Sequence, residues 1–247
     1  MVDSKKLAFF LPNTFTALNM ACGFASIILS YQGNFYYGCL LLALGAIFDS
    51  VDGRVARLTG TQSSFGEQFD SLSDLISFGM APSFLIYNQF LSGMGRIGYV
   101  VAFIYVLCGA LRLARFNANI DKVSSDFFQG LPIPGAALAI IGFVLFSVKF
   151  PELIEYKILA CGYTVFYALL MISNIPFFSF KNSELAKKNK KLALVIIFLF
   201  LALIFVYEQL MIAIIMGLYV IASLIYFFKA RGKSDEIFNW KSDENES

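Results

Sequence analysis

Two neighbouring apolar stretches of this chain each carry a pair of aspartates, Asp49 with Asp52 and Asp70 with Asp74, in the run D-S-V-D-G-R-V-A-R-L-T-G-T-Q-S-S-F-G-E-Q-F-D-S-L-S-D. An acid inside a membrane helix costs on the order of 2.5–3.5 kcal/mol on insertion scales. Four acids in so short a run need one joint explanation, and a site that holds metal ions for chemistry supplies it. The surroundings are those of an integral membrane protein: 58% hydrophobic, 15% charged, with a mean hydropathy of +0.72. No polar stretch is long enough for a separate soluble domain.

Eight stretches meet the length of about 20 residues that a membrane crossing needs. They are residues 12–31, 35–58, 65–90, 97–116, 133–150, 156–176, 192–207 and 210–229, the last two parted by a Tyr207-Glu208-Gln209 turn. With a cytoplasmic N-terminus, 16 of the Lys and Arg residues fall on the inner side. Only three, Arg96, Lys149 and Lys157, fall outside. This positive-inside bias favours an even number of spans, with both termini and the aspartates on the cytoplasmic side of a cell (inner) membrane. The expected fold is all-α, a polytopic transmembrane bundle. Residues 1–180 form a core of six helices, 181–229 add two more, and 230–247 form a polar tail. The basic run Lys187–Lys191 reads as a topology signal, with anionic-lipid contact as the alternative. The N-terminus has two lysines followed by apolar sequence, but no convincing cleavage site, so the first helix is read as retained.

Histidine is absent, and the four cysteines, Cys22, Cys39, Cys108 and Cys161, are scattered without a Cys-x-x-Cys pair. They read as buried thiols. Acid–base work then falls mainly to Asp, Glu, Lys, Tyr or Cys. A bound metal should be a hard, oxygen-loving ion such as Mg²⁺, Mn²⁺ or Ca²⁺.

Asp49 and Asp52 are spaced i, i+3, and Asp70 and Asp74 i, i+4, so each pair shares a helix face. The short Thr59–Ser64 connection makes the two helices antiparallel neighbours. At ~1.5 Å per residue, Asp52 lies about 9 Å back from Leu58 and Asp70 about 9 Å beyond Ser64, with Asp49 and Asp74 about 13 and 15 Å in. The pairs therefore meet at one depth. Two such charges ~5–6 Å apart cost roughly 3 kcal/mol at an effective dielectric near 20. Protonation or bound cations relieve this, and one or two divalent ions is the simpler answer. Gly53, Ala56 and Gly66 leave room beside the acids, as a ligand site or merely as small-residue helix packing.

The run resembles the signature of the CDP-alcohol phosphotransferase family, D-x-x-D-G-x-x-A-R-x8-G-x3-D-x3-D. Asp49, Asp52, Gly53, Ala56, Arg57, Gly66, Asp70 and Asp74 match every fixed position. The resemblance implies transfer of a phosphatidyl-type group from a CDP-linked lipid to an alcohol, with release of CMP. It implies two divalent cations, Mg²⁺ or Mn²⁺ (Ca²⁺ as another occupant), held by Asp49, Asp52, Asp70 and Asp74. Asp74 is also the implied base toward the acceptor hydroxyl. Gly53, Ala56, Arg57 and Gly66 are placed with the cytidine nucleotide, and the family implies a homodimer.

Flanking segments resemble the family's phosphatidylserine synthase branch over roughly residues 10–180. They are Pro12–Met20, Ser77–Pro82, Ala110–Asn117 and Gly130–Gly135. That branch implies CDP-diacylglycerol and L-serine as substrates. Asn13 and Thr16 are expected near the nucleotide; alternatively, with Asn19, they cap a helix and bond within the bundle. Arg112 and Arg115, with Asn117, are expected to bind serine or lipid phosphate, the two arginines bracketing one helix face; alternatively they are positive-inside residues. Gly130-Leu131-Pro132 reads as a stiff turn, shaping the substrate mouth or only starting a helix. Rival readings keep the chemistry but change the acceptor to glycerol 3-phosphate or inositol phosphate, or the donor to an archaeal ether lipid. A non-enzymatic rival is a divalent-cation transporter. Membrane lipids are natural partners, and no nucleic acid is expected.

Overall fold

The computed structural model describes residues 4–118, 127–178 and 207–229. Nearly all of them are helical, as expected where a backbone in hydrocarbon must satisfy its own N–H and C=O groups. Helix α1 is Ser4–Tyr31 and α2 is Phe35–Thr59. A third helical path runs through α3 (Ser64–Asp74), a π-helical stretch (Leu75–Met80), α4 (Ala81–Ile86), a second π-helical stretch (Tyr87–Leu91) and a 3-10 turn (Ser92–Met94). Then follow α5 (Arg96–Ala118), strand β1 (Phe127–Gln129), α6 (Ile133–Lys149), a 3-10 turn (Pro151–Glu155), α7 (Lys157–Ile172), strand β2 (Pro176–Phe178) and α8 (Glu208–Lys229).

Helices lie over seven of the eight expected stretches. The stretch at 192–207, the Lys187–Lys191 run and the tail from 230 lie outside the described residues. Three helical stretches, Phe10–Tyr31, Arg96–Ala118 and Gln209–Lys229, are long and apolar enough to cross a membrane, while Ile133–Lys149 and Lys157–Ile172 are shorter apolar helices. Two boundaries differ from expectation. The first helix starts at Ser4 and carries Pro12 inside it, which withdraws that residue's N–H from the helical ladder. Glu208 opens α8 rather than sitting in a turn, with the Leu210 and Met211 N–H groups bonded to the Tyr207 carbonyl at 3.0 and 2.9 Å.

α1 and α2 are antiparallel, turned at Gln32–Asn34. α1 runs parallel to the third path, and serines stitch the two together. Ser73 Oγ donates to the Thr16 carbonyl (3.0 Å) and Ser77 Oγ to the Asn19 carbonyl (2.9 Å). Ser30 Oγ donates to the Phe84 carbonyl (3.0 Å) and itself accepts from Asn88 Nδ2 (2.8 Å). The first π stretch has a local cause. Pro82 cannot donate to the Phe78 carbonyl, and its ring crowds that oxygen. The Tyr105 hydroxyl on α5 donates to it instead, at 3.3 Å.

α6 is the central helix. Ala136, Ala139, Ile140 and Val144 are fully buried there. α8 packs on it so closely that a Cβ at Gly142 would lie 2.7 Å from the Ala213 nitrogen.

The contact between α1 and the first π stretch is also tight. A Cβ at Gly23 would lie 2.6 Å from Ser77 Oγ and 2.7 Å from Ser77 Cα, so any side chain must push the helices apart. We expect Gly23→Ala to lose roughly 1–3 kcal/mol to overpacking, read as a lower denaturation midpoint in detergent. Gly162→Ala, where a Cβ would meet nothing within 4 Å, is the control. Equal midpoints for the two variants would contradict this packing.

Candidate metal centre

The tight link between α2 and α3 brings the acids together. α2 ends on Gly60 in the left-handed conformation (φ 64°), its N–H returned to the Ala56 carbonyl. Ser63 then caps α3, its hydroxyl accepting from the Gly66 N–H at 3.1 Å. With both ends fixed, one carboxylate oxygen from each of Asp49, Asp70 and Asp74 lies within 4.8 Å of the other two. Asp52 is held beside them by α1: Thr16 Oγ1 donates to its Oδ2 at 2.8 Å. Thr16, Asp52 and Asp74 are buried, while Asp49 and Asp70 are half-buried.

These acids are poorly satisfied by the protein itself. Asp70 Oδ1 and Asp74 Oδ1 are buried without a hydrogen-bond partner, although burying an unpaired charge costs several kcal/mol. The Asp49 and Asp74 carboxyl groups touch. Arg112, 8% exposed, lies within electrostatic range of Asp74 and Asp49 and stacks on the Phe116 ring at 5.5 Å. A hard cation fits this donor set. Opposite ligands of an octahedral Mg²⁺ lie about 4.2 Å apart, at about 2.1 Å per bond, and Ca²⁺ tolerates somewhat more. The orphaned oxygens are the atoms such an ion would take.

The other expected residues divide into groups. Asn13 adjoins Gly66: a Cβ there would lie 3.6 Å from Asn13 Oδ1 and 3.3 Å from Ser63 Oγ. At Gly53 the nearest atom to an added Cβ is Arg57 Nη1, at 3.9 Å. Ala56 is half-buried and Arg57 exposed one turn further along α2. Asn13 thus lies by Gly66, and Arg57 by Gly53. Asn117 Nδ2 donates to Ser71 Oγ at 2.9 Å, tying the end of α5 to the helix that carries Asp70 and Asp74.

Arg112 and Arg115 have different partners, although their spacing puts them on one helix face. Arg115 turns away from the acids toward the end of α7, where its guanidinium meets the Ile172 carbonyl at 3.0 Å and the Gln129 carbonyl at 2.9 Å. The reason is local, since the last carbonyls of a helix lack intrahelical partners and attract a cation.

Neither Ser73 nor Ser77 was expected to tie the helices together, although Ser77 opens the family-like segment Ser77–Pro82. Their signal was position: they flank Asp74 at i−1 and i+3, inside an apolar stretch. Asn19, fully buried, leaves both amide atoms unpartnered near Gly45, one turn before Asp49.

Comparison with known proteins places this geometry in context. Residues 9–172 match the model of the family described as CDP-alcohol phosphatidyltransferase. The chain is 39% identical over 218 residues to a protein of Helicobacter pylori (strain J99) named CDP-diacylglycerol–serine O-phosphatidyltransferase, covering 88% of this chain and 90% of the relative. A Methanocaldococcus jannaschii protein of the same name is 41% identical over 167 residues, 68% of this chain and 73% of the relative. The archaetidylserine synthase of Methanothermobacter thermautotrophicus is 40% identical over 182 residues, 72% of this chain and 74% of the relative.

The acid cluster predicts direct metal affinity. Titration of the purified protein with Mn²⁺, followed by the loss of the free-ion paramagnetic signal, should show saturable binding. Asp70→Asn should weaken it about tenfold or more, since the ion loses a charged ligand. Wild-type affinity in Asp70→Asn would remove this residue from the site.

Proposed function

The chain belongs to the CDP-alcohol phosphatidyltransferase family, and from that premise we propose that it moves the phosphatidyl group of CDP-diacylglycerol to the hydroxyl of L-serine. The products are phosphatidylserine and CMP. The observation that carries this reading is the convergence of Asp49, Asp70 and Asp74 within 4.8 Å of one another. Relatives whose names specify serine supply the acceptor.

In this reading the four aspartates hold two divalent cations, Mg²⁺ or Mn²⁺, which when bound neutralise charge on the pyrophosphate and leaving group. Asn13, Thr16, Gly53, Ala56, Arg57 and Gly66 form the nucleotide side. Arg112 supplies a planar fork for the serine carboxylate or the lipid phosphate. Asp74 takes the proton from the serine hydroxyl as its oxygen attacks the β-phosphorus. The new P–O bond replaces the bond to CMP, and the proton leaves on Asp74. The half-buried acids and the exposed Arg57 make the cytoplasmic membrane surface the natural meeting place for a soluble amino acid and a lipid nucleotide. Eight crossings, cytoplasmic termini and a homodimer complete the proposal.

A second donor has support of its own, because one relative is an archaetidylserine synthase. An ether-linked CDP-lipid would use the same residues and the same acceptor.

Purified protein with Mn²⁺ or Mg²⁺, CDP-diacylglycerol and labelled serine should release CMP and form labelled phosphatidylserine. Glycerol 3-phosphate and inositol phosphate should not compete, and excess chelator should abolish turnover. Asp74→Asn should lose about 10²–10⁴-fold in kcat, the range for a general base. Wild-type turnover in that variant rejects the assigned base, and preference for a phosphorylated acceptor rejects serine.

A further inference from the structure

Arg115 sits one helical turn beyond Arg112 on α5, yet its guanidinium is committed almost wholly to backbone carbonyls. Nη1 donates to the Ile172 carbonyl (3.0 Å) and to Asn174 Oδ1 (3.4 Å). Nη2 is shared among the carbonyls of Gln129 (2.9 Å), Met171 (3.1 Å) and Ser173 (3.3 Å). The two terminal nitrogens carry four N–H groups, and five acceptors surround them. No terminal N–H is left to grip an anion bidentately.

The same few ångströms contain Gly130, at φ +75°. A Cβ there would strike the Met171 carbonyl oxygen and lie 2.8 Å from that of Ser173 and 2.9 Å from Arg115 Nη2. Gly130 N–H donates to the Ile175 carbonyl and Leu131 N–H to that of Leu170, each at 2.9 Å. β1 pairs antiparallel with β2, Gln129 opposite Pro176, and Gln129 Nε2 donates to Asn174 Oδ1 at 2.8 Å. The end of α7, the turn before α6 and the end of α5 are therefore joined at one guanidinium. On the other side of α5, Asn117 bonds Ser71 of α3. Between these two anchors Arg112 reaches the acid cluster.

We propose that Arg115 is a positioning residue: with Gly130 it forms a backbone latch that fixes the last turns of α5 and so holds Arg112 beside Asp74, and it binds no substrate. This rests on the reading of Arg112 as a ligand for phosphate or carboxylate. The latch needs a planar fork, so lysine does not replace it. It also needs glycine at 130, although that residue touches neither the acids nor Arg112.

The test uses the full-length protein in detergent, with Arg115→Lys, Arg115→Gln, Gly130→Ala and the Gln/Ala double variant. Amide hydrogen exchange requires no substrate. The segment spanning Gly130 and Leu131 and the end of α7 should exchange about tenfold faster or more in each variant, while the middle of α1 is unchanged. In turnover with whichever acceptor the wild type uses, each single variant should lower kcat about tenfold with KM for donor and acceptor within about threefold. The double variant should fall no further than the worse single one, as expected for one shared device. If the Arg115 variants do not fold, Gly130→Ala and Asn174→Ala carry the same two readouts. Unchanged exchange, together with a raised and salt-sensitive KM for serine or the CDP-lipid in Arg115→Gln alone, would make Arg115 a substrate ligand and overturn the latch. Additive effects in the double variant would overturn it as well. If the wild type transfers nothing to serine, the proposed activity fails while the exchange measurement still decides the latch.

Discussion

Mutual repulsion among four carboxylates at the end of a helical hairpin is the constraint on which the rest of this structure depends. Asp49, Asp70 and Asp74 bring oxygens within 4.8 Å of one another, and two of those residues leave an oxygen buried and unpartnered. Left alone, α2 and α3 would separate at that end. They are held in part by devices that do not involve the acids. The left-handed Gly60 and the Ser63 cap shorten the link, and Ser73 and Ser77 bond the acid-bearing helix to α1. Strain is carried by the scaffold so that a cation can relieve it, which is how a preorganised metal site gains affinity.

Much of this was legible in the chain. Spacing alone put each aspartate pair on one face, and the short Thr59–Ser64 link made the pairs meet at one depth. Hydropathy marked most of the helices within a few residues of their observed ends, although α1 starts at Ser4 rather than at 12. The rest depends on partners far away in sequence. The π stretch after Asp74 requires both Pro82, which removes a bond, and Tyr105, which takes over the orphaned Phe78 carbonyl from 27 residues away. The Thr16–Asp52 bond spans 36 residues and the Arg115–Ile172 bond 57. An i, i+3 rule places two arginines on one face but says nothing of the unpaired carbonyls that draw one of them off.

That divergence gives the last turns of α5 two different sets of contacts. Arginine suits both because its charge is permanent and its fork is planar. At position 115 the fork meets backbone carbonyls, whose positions are set by α7 and β1. At position 112 it lies buried beside acids, stacked on Phe116. A guanidinium buried near unpaired carboxylates offsets part of their charge, which makes the cluster tolerable before any ion or phosphate arrives.

Burial around the cluster is uneven, and the unevenness has a direction. Asp52 and Asp74 are closed off by α1 and by the packing of the π stretch, whereas Asp49 and Asp70 are half-buried, next to Gly53 and Gly66. The less buried side of the cluster is therefore the one that carries Gly53 and Gly66. In the proposed reaction the base, Asp74, lies on the closed side, which favours a small acceptor. Serine meets that demand. The same hydroxyl–carbonyl contacts that join α1 to the third path thus also close the side of the cluster on which Asp74 lies.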